Sequence, residues 1–334
     1  MRVVWLILML ILFTPTLNMQ QTQYSPIFDG ANALSHLNAQ CDFGPRPPGS
    51  DNLSDCRNYI MQTLEFEGWT VALQNFTYRD IECANVIARY GNLDNASIIL
   101  GAHYDTRPRA DKDPDSANWS KPILGANDGA SGVAVLLELA RTLSEETRES
   151  VELVFFDAED SGGIDNWDWI VGSTHYVDQL DSSRINSIIA MVLFDMVGDV
   201  NLRLPRERSS TRSLQDSVWS IAADLEHENV FLDSFGGSIL DDHTPFLLAD
   251  IPALDIIHHS PVPPYWHTME DTPDKCSAES LEIVGEVVES FIVQIVSGDT
   301  NISPTPPIVL LAAGFGIAAS AIALASWYLI KRRK

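Results

Sequence analysis

Positive charge is what this sequence has least of. Its 334 residues carry 21 Lys and Arg against 46 Asp and Glu, a formal net charge of −25, with a pI near 4.4. Nucleic-acid binding needs a basic face for phosphates, so that class is excluded. The acidic residues are not gathered into runs. They read as a solvated surface; the alternative is a summed field that draws cationic or N-terminal amine substrates. Internal repeats are absent, and the length suits one large α/β domain with appendages. Cysteine is scarce: Cys41, Cys56, Cys83 and Cys276 suit an export compartment, where disulfides are permitted. Four cysteines allow three pairings. Cys41 and Cys56 flank the first helix hairpin and form the favoured pair, with free buried thiols as the alternative.

Both ends of the chain are membrane signals. Residues 1–13 hold one early positive charge and a short apolar run, the form of a signal peptide over 1–22. No clean small-x-small cleavage site follows, which leaves an uncleaved anchor open. Residues 308–330 lack any charge and would make a helix about 34 Å long, enough to span a bilayer. Nothing follows that could cover them as a core helix. Lys331-Arg-Arg-Lys334 comes next, and basic residues stay on the cytoplasmic side. The expected layout is a catalytic domain at 23–298 outside the cytoplasm, a linker at 299–307, a transmembrane helix at 308–330 and a cytoplasmic tail at 331–334. Asn-x-Ser/Thr acceptors at Asn52, Asn75, Asn95, Asn118 and Asn301 agree with exposure outside.

Between these ends, strand and helix patterns alternate. Residues 30–40 and 53–68 read as amphipathic helices broken by Phe43-Gly-Pro-Arg-Pro-Pro-Gly. Residues 70–78 and 85–90 read as an outer hairpin. Continuous apolar runs at 98–102, 153–156 and 188–194 are strands covered on both faces, and 253–257 is a further strand. Helices are expected at 132–143, 212–229 and 278–296. The fold class is therefore α/β: three-layer α/β/α with a mixed, largely parallel central sheet.

Metal-grade side chains stand where these buried strands run out. They are His103 and Asp105, Asp128, Glu159 with Asp160, Asp195, and His267. Open α/β sheets bind ligands beyond the carboxyl ends of their strands, and zinc takes imidazole nitrogen and carboxylate oxygen. A bridging carboxylate can hold two metals about 3.5–4 Å apart. Asp105 can accept the other ring N–H of His103. Asp128 could simply cap the next helix, although the surrounding Gly125-Ala-Asn-Asp-Gly-Ala-Ser-Gly allows a closer backbone approach than a cap needs. Adjacent residues on a loop point apart, so one of Glu159 and Asp160 can bind metal while the other does proton work. Asp241-Asp242-His243 could cap a helix, with Asp242 and His243 bonded to each other. His175, His227, His258 and His259 have no such station and read as structural or exposed.

Gly101-Ala-His-Tyr-Asp-Thr-Arg-Pro, Pro122-Ile-Leu-Gly-Ala-Asn-Asp-Gly-Ala-Ser-Gly-Val, Phe155-Phe-Asp-Ala-Glu-Asp, Leu240-Asp-Asp-His-Thr-Pro-Phe and Tyr265-Trp-His-Thr-Met-Glu-Asp-Thr together resemble the zinc aminopeptidase superfamily. Within it they are most similar to animal-type glutaminyl cyclases and their bacterial relatives, over about residues 28–298. The resemblance implies Asp128, Asp160 and His267 as ligands of one zinc, with Asp160 where animal cyclases more usually have glutamate. It implies Glu159 as the general base, Asp195 and Asp241 as a hydrogen-bonded acid pair, and Trp266 as a stacking wall of the substrate pocket. Trp169 would supply the other pocket aromatic, with Trp167 competing for that role. In the aminopeptidases of the superfamily, His103 and Asp195 would ligate a second zinc, with Asp128 bridging.

Three readings follow from the resemblance. The first is a glutaminyl-peptide cyclotransferase using one zinc on the N-termini of exported peptides and proteins. The second is an aminopeptidase using two. The third is a membrane-tethered binding ectodomain without activity, against which the intact Glu159 and ligand set stand.

Overall fold

A computed structural model describes residues 24–91 and 96–298. Two helices open the chain, α1 (Gly30–Asp42) and α2 (Asp51–Phe66). Asp29 caps the first by accepting from Ala31 and Asn32 N–H, and Ser50 caps the second through Leu53 N–H. A hairpin follows, β1 (Thr70–Tyr78) and β2 (Ile81–Arg89), then β3 (Ile98–His103). Next come α3 (Ala130–Thr142), α4 (Glu145–Arg148) and β4 (Val151–Phe156). Beyond β4 lie α5 (Val171–Asp178), α6 (Ser182–Ser187), β5 (Ala190–Asp195) and β6 (Leu204–Arg206). The remainder is α7 (Arg212–Asp224), β7 (Phe231–Phe235), α8 (Thr244–Leu248), β8 (Ala253–Ile257) and α9 (Ala278–Ser297).

Six strands form one sheet in the order β1-β2-β4-β3-β5-β8. The β1–β2 and β2–β4 pairings are antiparallel, whereas β4, β3, β5 and β8 run parallel. Every residue of those four parallel strands is buried, because helices cover both faces. On one face Leu100, Ala102, Phe155, Val192 and Phe194 join the core of α1, α3 and α9. On the other, Ile99, Val154, Phe156 and Met191 meet Tyr176 and Val177 of α5 and Phe246 of α8. Helices thus sandwich a mixed, largely parallel sheet, as the alternating pattern implies. Gly132 is required by the closeness of this packing: a Cβ there would stand 2.4 Å from the Phe194 carbonyl oxygen. That contact seats the start of α3 directly on the end of β5.

Three local expectations need correction. The favoured Cys41–Cys56 bridge is not formed, and all four thiols are free and buried. Cys41 and Cys56 pack in the main core, where burial pushes both thiols up to about 11, so they serve as small apolar fillers. The helix expected over 212–229 ends at Asp224, since Glu226 takes a left-handed turn at φ +65°. The second hairpin strand begins at Ile81 rather than 85, because β1 and β2 pair through Tyr78↔Ile81. The parallel pair β6–β7 and the short helices α5 and α8 had no periodic signal long enough to mark them. Among the described residues no helix is long and apolar enough to cross a membrane. The segments at 1–22, 299–307, 308–330 and 331–334 lie outside the described residues.

Candidate metal centre

Parallel pairing brings the carboxyl ends of β3, β4, β5 and β8 to one edge of the sheet, and the acidic and imidazole groups gather there. His103 closes β3 and Asp195 closes β5. Just past β4 and β5, Ala158 (φ +60°) and Met196 (φ +48°) turn the chain sharply, and His267 is itself left-handed at φ +57°. Left-handed backbone is uncommon outside glycine, and such residues concentrate at functional sites.

Four of these groups converge on Asp128. Its Oδ1 is 3.3 Å from His103 Nε2, and its Oδ2 is 3.4 Å from His267 Nε2. His103 Nε2 also lies 3.2 Å from Asp195 Oδ1, and His267 Nε2 lies 3.1 Å from Asp160 Oδ1. Two overlapping triads result, His103–Asp128–Asp195 and Asp128–Asp160–His267, with the ligand atoms of each within 4.8 Å of one another. Asp128 does not cap α3: the N-cap residue is Gly129, with no side-chain cap bond. The second oxygen of Asp160 is buried without a hydrogen-bond partner. A buried, unpartnered carboxylate oxygen is costly unless a cation or a proton meets it. This donor set of imidazole nitrogens and carboxylate oxygens fits zinc.

Asp105 faces the ring nitrogen it was expected to partner and has a further task. Its carboxylate stands 3.6 Å from His103 Nδ1 and, against burial, helps raise that imidazole. It also accepts from Glu159 N–H at 3.0 Å and Asp160 N–H at 3.2 Å, fixing the backbone that carries both acids. Asp271, which the sequence reading gave no role, does the same for the other arm, accepting from Asn127 N–H at 2.8 Å and Asp128 N–H at 3.1 Å.

Glu159 is buried, and burial together with neighbouring Asp160, Asp241 and Asp242 raises its carboxyl well above the usual range, against the pull of His103. Asp195 is pushed up to about 6 by burial despite His103, and Asp241 to about 7 by burial and Asp195. Asp241 Oδ2 has no hydrogen-bond partner. Asp242 and His243 do not bond to each other. Asp242 N–H donates to Asp241 Oδ1, and His243 sits 3.5 Å from Glu207 and 3.6 Å from Asp255.

Aromatic rings wall the site. Trp266 stacks on His267 with ring centroids 3.7 Å apart, and Trp169 lies nearly parallel to the same imidazole at 6.2 Å. Trp167 turns away to pack edge-on against Tyr78, so Trp169 is the loop indole at the centre. The histidines without a station belong to neither triad: His175 stacks on Phe76, His227 pairs with Glu286, and His258 and His259, just past β8, are buried, with His258 Nδ1 3.9 Å from Asp199.

This arrangement has close counterparts. The model of "Peptidase family M28" matches residues 85–292. The chain belongs to peptidase family M28. Among curated relatives, the glutaminyl-peptide cyclotransferase of Bos taurus is 25% identical over 293 residues, covering 75% of this chain and 78% of the relative. A solved glutaminyl cyclase of Bacteroides thetaiotaomicron, bound to N-acetylhistamine, is 34% identical with a TM-score of 0.74, covering 80% of this chain and 99% of that one. A solved leucine aminopeptidase precursor from the same species reaches the same TM-score of 0.74 and 34% identity, covering 80% and 98%. This M28 member is therefore similar at once to cyclases and to zinc exopeptidases, and its chemistry is that of a zinc enzyme.

Proposed function

We propose that this M28 enzyme is a glutaminyl-peptide cyclotransferase, converting the N-terminal glutamine of peptides and proteins to pyroglutamate with release of ammonia. The observation that carries this reading is a further buried acid, Asp241, whose Oδ2 has no hydrogen-bond partner and whose carboxyl burial and Asp195 push up, in a site that also holds Glu159 and is walled by Trp266 and Trp169. Hydrolysis needs one base; internal aminolysis also needs a group that holds the substrate carboxamide while nitrogen replaces nitrogen.

Zinc bound by Asp128, Asp160 and His267 would supply a Lewis acid for the γ-carboxamide carbonyl. Glu159 takes a proton from the α-amine as that nitrogen attacks the γ-carbon, and delivers it to the departing ammonia. One C–N bond forms and one breaks, with no net uptake of protons. Asp241 and Asp195 hydrogen-bond the carboxamide nitrogen, and Trp266 stacks along the side chain. The work is positioning and charge stabilisation, with no activated water required.

The second reading, a two-zinc aminopeptidase, is favoured by the separate oxygens that Asp128 offers to His103 and His267. Metal content measured beside two assays separates them. Ammonia release from a Gln-initiated peptide at one zinc per chain supports the cyclase; hydrolysis of an aminoacyl amide at two zincs per chain overturns it. Glu159→Gln should lower turnover by about 10²–10⁴-fold with zinc retained. As to place, we propose a domain outside the cytoplasm, tethered by residues 308–330, on the sequence pattern alone. Carbonate-resistant membrane association of the full chain, lost on deleting 308–334, tests the tether.

A further inference from the structure

Arg107 belongs to none of the roles above, yet it is buried and touches both halves of the site. Its Nη1 donates to the Oδ1 and to the backbone carbonyl of Asp160, each at 3.2 Å. Its Nε and Nη2 form a fork with Asp111, at 2.7 and 2.8 Å. Asp111 Oδ1 is in turn 3.8 Å from Nδ1 of His267. Cζ of the same guanidinium lies over the Trp169 ring, 4.8 Å from its centroid. One side chain therefore holds a metal ligand by hydrogen bonds and a pocket wall by its charge over the ring.

The indole is fixed from another direction by a missing side chain. A Cβ on Gly162 would stand 2.0–2.3 Å from the Cδ2, Cγ and Cε2 atoms of Trp169, so the ring lies directly against that glycine. Arg107 also donates to the Gly162 carbonyl oxygen, at 3.4 Å from both Nη1 and Nη2. With Asp160 Oδ1 committed to Arg107 and His267, its second oxygen is the one left without a partner.

We infer that Arg107 is a positioning residue that holds both the metal ligand Asp160 and the pocket indole Trp169 through separate contacts, so that metal affinity and substrate fit each depend on it. A lysine at this position would keep the charge and lose the fork. The inference rests on the metal-site assignment and not on the choice between cyclisation and hydrolysis.

The test uses the full-length protein and two readouts. Zinc affinity is measured by competition with a chelator, and KM and kcat with the Gln-initiated peptide or the aminoacyl amide, whichever is turned over. Arg107→Lys should weaken zinc binding by about 10–100-fold and raise KM by about two- to tenfold. Gly162→Ala, which displaces the indole but spares the Arg107–Asp160 bonds, should raise KM with zinc affinity within about twofold of wild type. Because both changes act through Trp169, the double variant should raise KM by less than the product of the single effects. If Arg107→Lys does not fold, Asp111→Asn, which loosens the fork at constant size, should lower zinc affinity in the same direction. Wild-type zinc affinity and KM in Arg107→Lys would overturn the inference, and so would equal weakening of zinc by Gly162→Ala. Zinc competition needs no turnover, so it decides on Arg107 even where neither substrate is converted, an outcome that counts against the proposed reaction alone.

Discussion

Two sets of carboxylates are buried in this molecule, and they differ in company rather than in depth. Behind the sheet, Glu138 accepts from Arg141 and from Asp29 N–H, and Glu289 accepts from Tyr24 Oη, Ile27 N–H and Phe28 N–H. At its far side Glu152 holds Arg89, Arg184 and Tyr176. At the carboxyl edge of the strands, by contrast, Asp160 and Asp241 each keep one oxygen without a hydrogen-bond partner and Asp242 keeps both, as does Asp255 within β8. Burial raises Asp242 and Asp255 well above the usual carboxylate range, with neighbouring acids adding to it. The first set fastens the N-terminal segment, the helices and the sheet edge to one another. In the second set donors are withheld, and only a cation or a proton can make such burial tolerable.

The comparison can be broken most forcefully at Asp128, the residue common to both triads. Asp128→Ala should reduce zinc content to background and cost more than the roughly 10–100-fold that losing an outer partner costs. Metal analysis beside the kinetic assay checks it, and full zinc occupancy in this variant would dissolve the assignment. Glu207 sharpens the contrast, since it lies near the site yet is fully partnered by Ser209, Ser210 and Ile239 N–H. Burial would raise it, but His243 and the Ser209 bonds outweigh this and hold it at about 2. A folded value below the ordinary 4.5 means stability present above pH 4.5 and lost as pH falls towards 2. Glu207→Gln should therefore unfold about 2–4 kcal/mol more easily at pH 7. Denaturation across pH should show that gap closing between 4.5 and about 2; a constant gap would place the effect elsewhere. The smallest effect belongs to the exposed pair Arg109–Asp165, whose loss in Arg109→Ala should shift stability by about 0.5 kcal/mol or less in urea melts.

The sheet and the stations at its edge were legible because they follow from periodicity: a strand covered on both faces must be apolar throughout, so a polar residue at its end stands out. His103, Asp128, Asp160, Asp195 and His267 come together in space as that rule requires. Supporting residues gave no comparable signal, except that Asp105 stood out at a strand end while its bonds to the Glu159 and Asp160 amides did not. Asp105, Arg107 and Asp271 act through backbone amides or across loops, and a contact between residues 54 or 144 positions apart leaves no mark on local spacing. Trp169 was the expected pocket indole, but Trp167 stayed its competitor because which indole faces inward depends on the left-handed turns at Asp165, Asn166 and Ile170. The disulfide expectation failed for a related reason, since proximity in sequence says nothing of which way two helices turn their thiols.

Ala158, Met196 and His267 keep left-handed backbone without being glycine, at a cost on the order of 1–3 kcal/mol each. For protein engineering this marks a trap. A redesign guided by thermal tolerance would first relieve those positions with residues at ease in that conformation. The melting temperature would rise, and the carboxylates and imidazole that those turns direct inward would lose their aim.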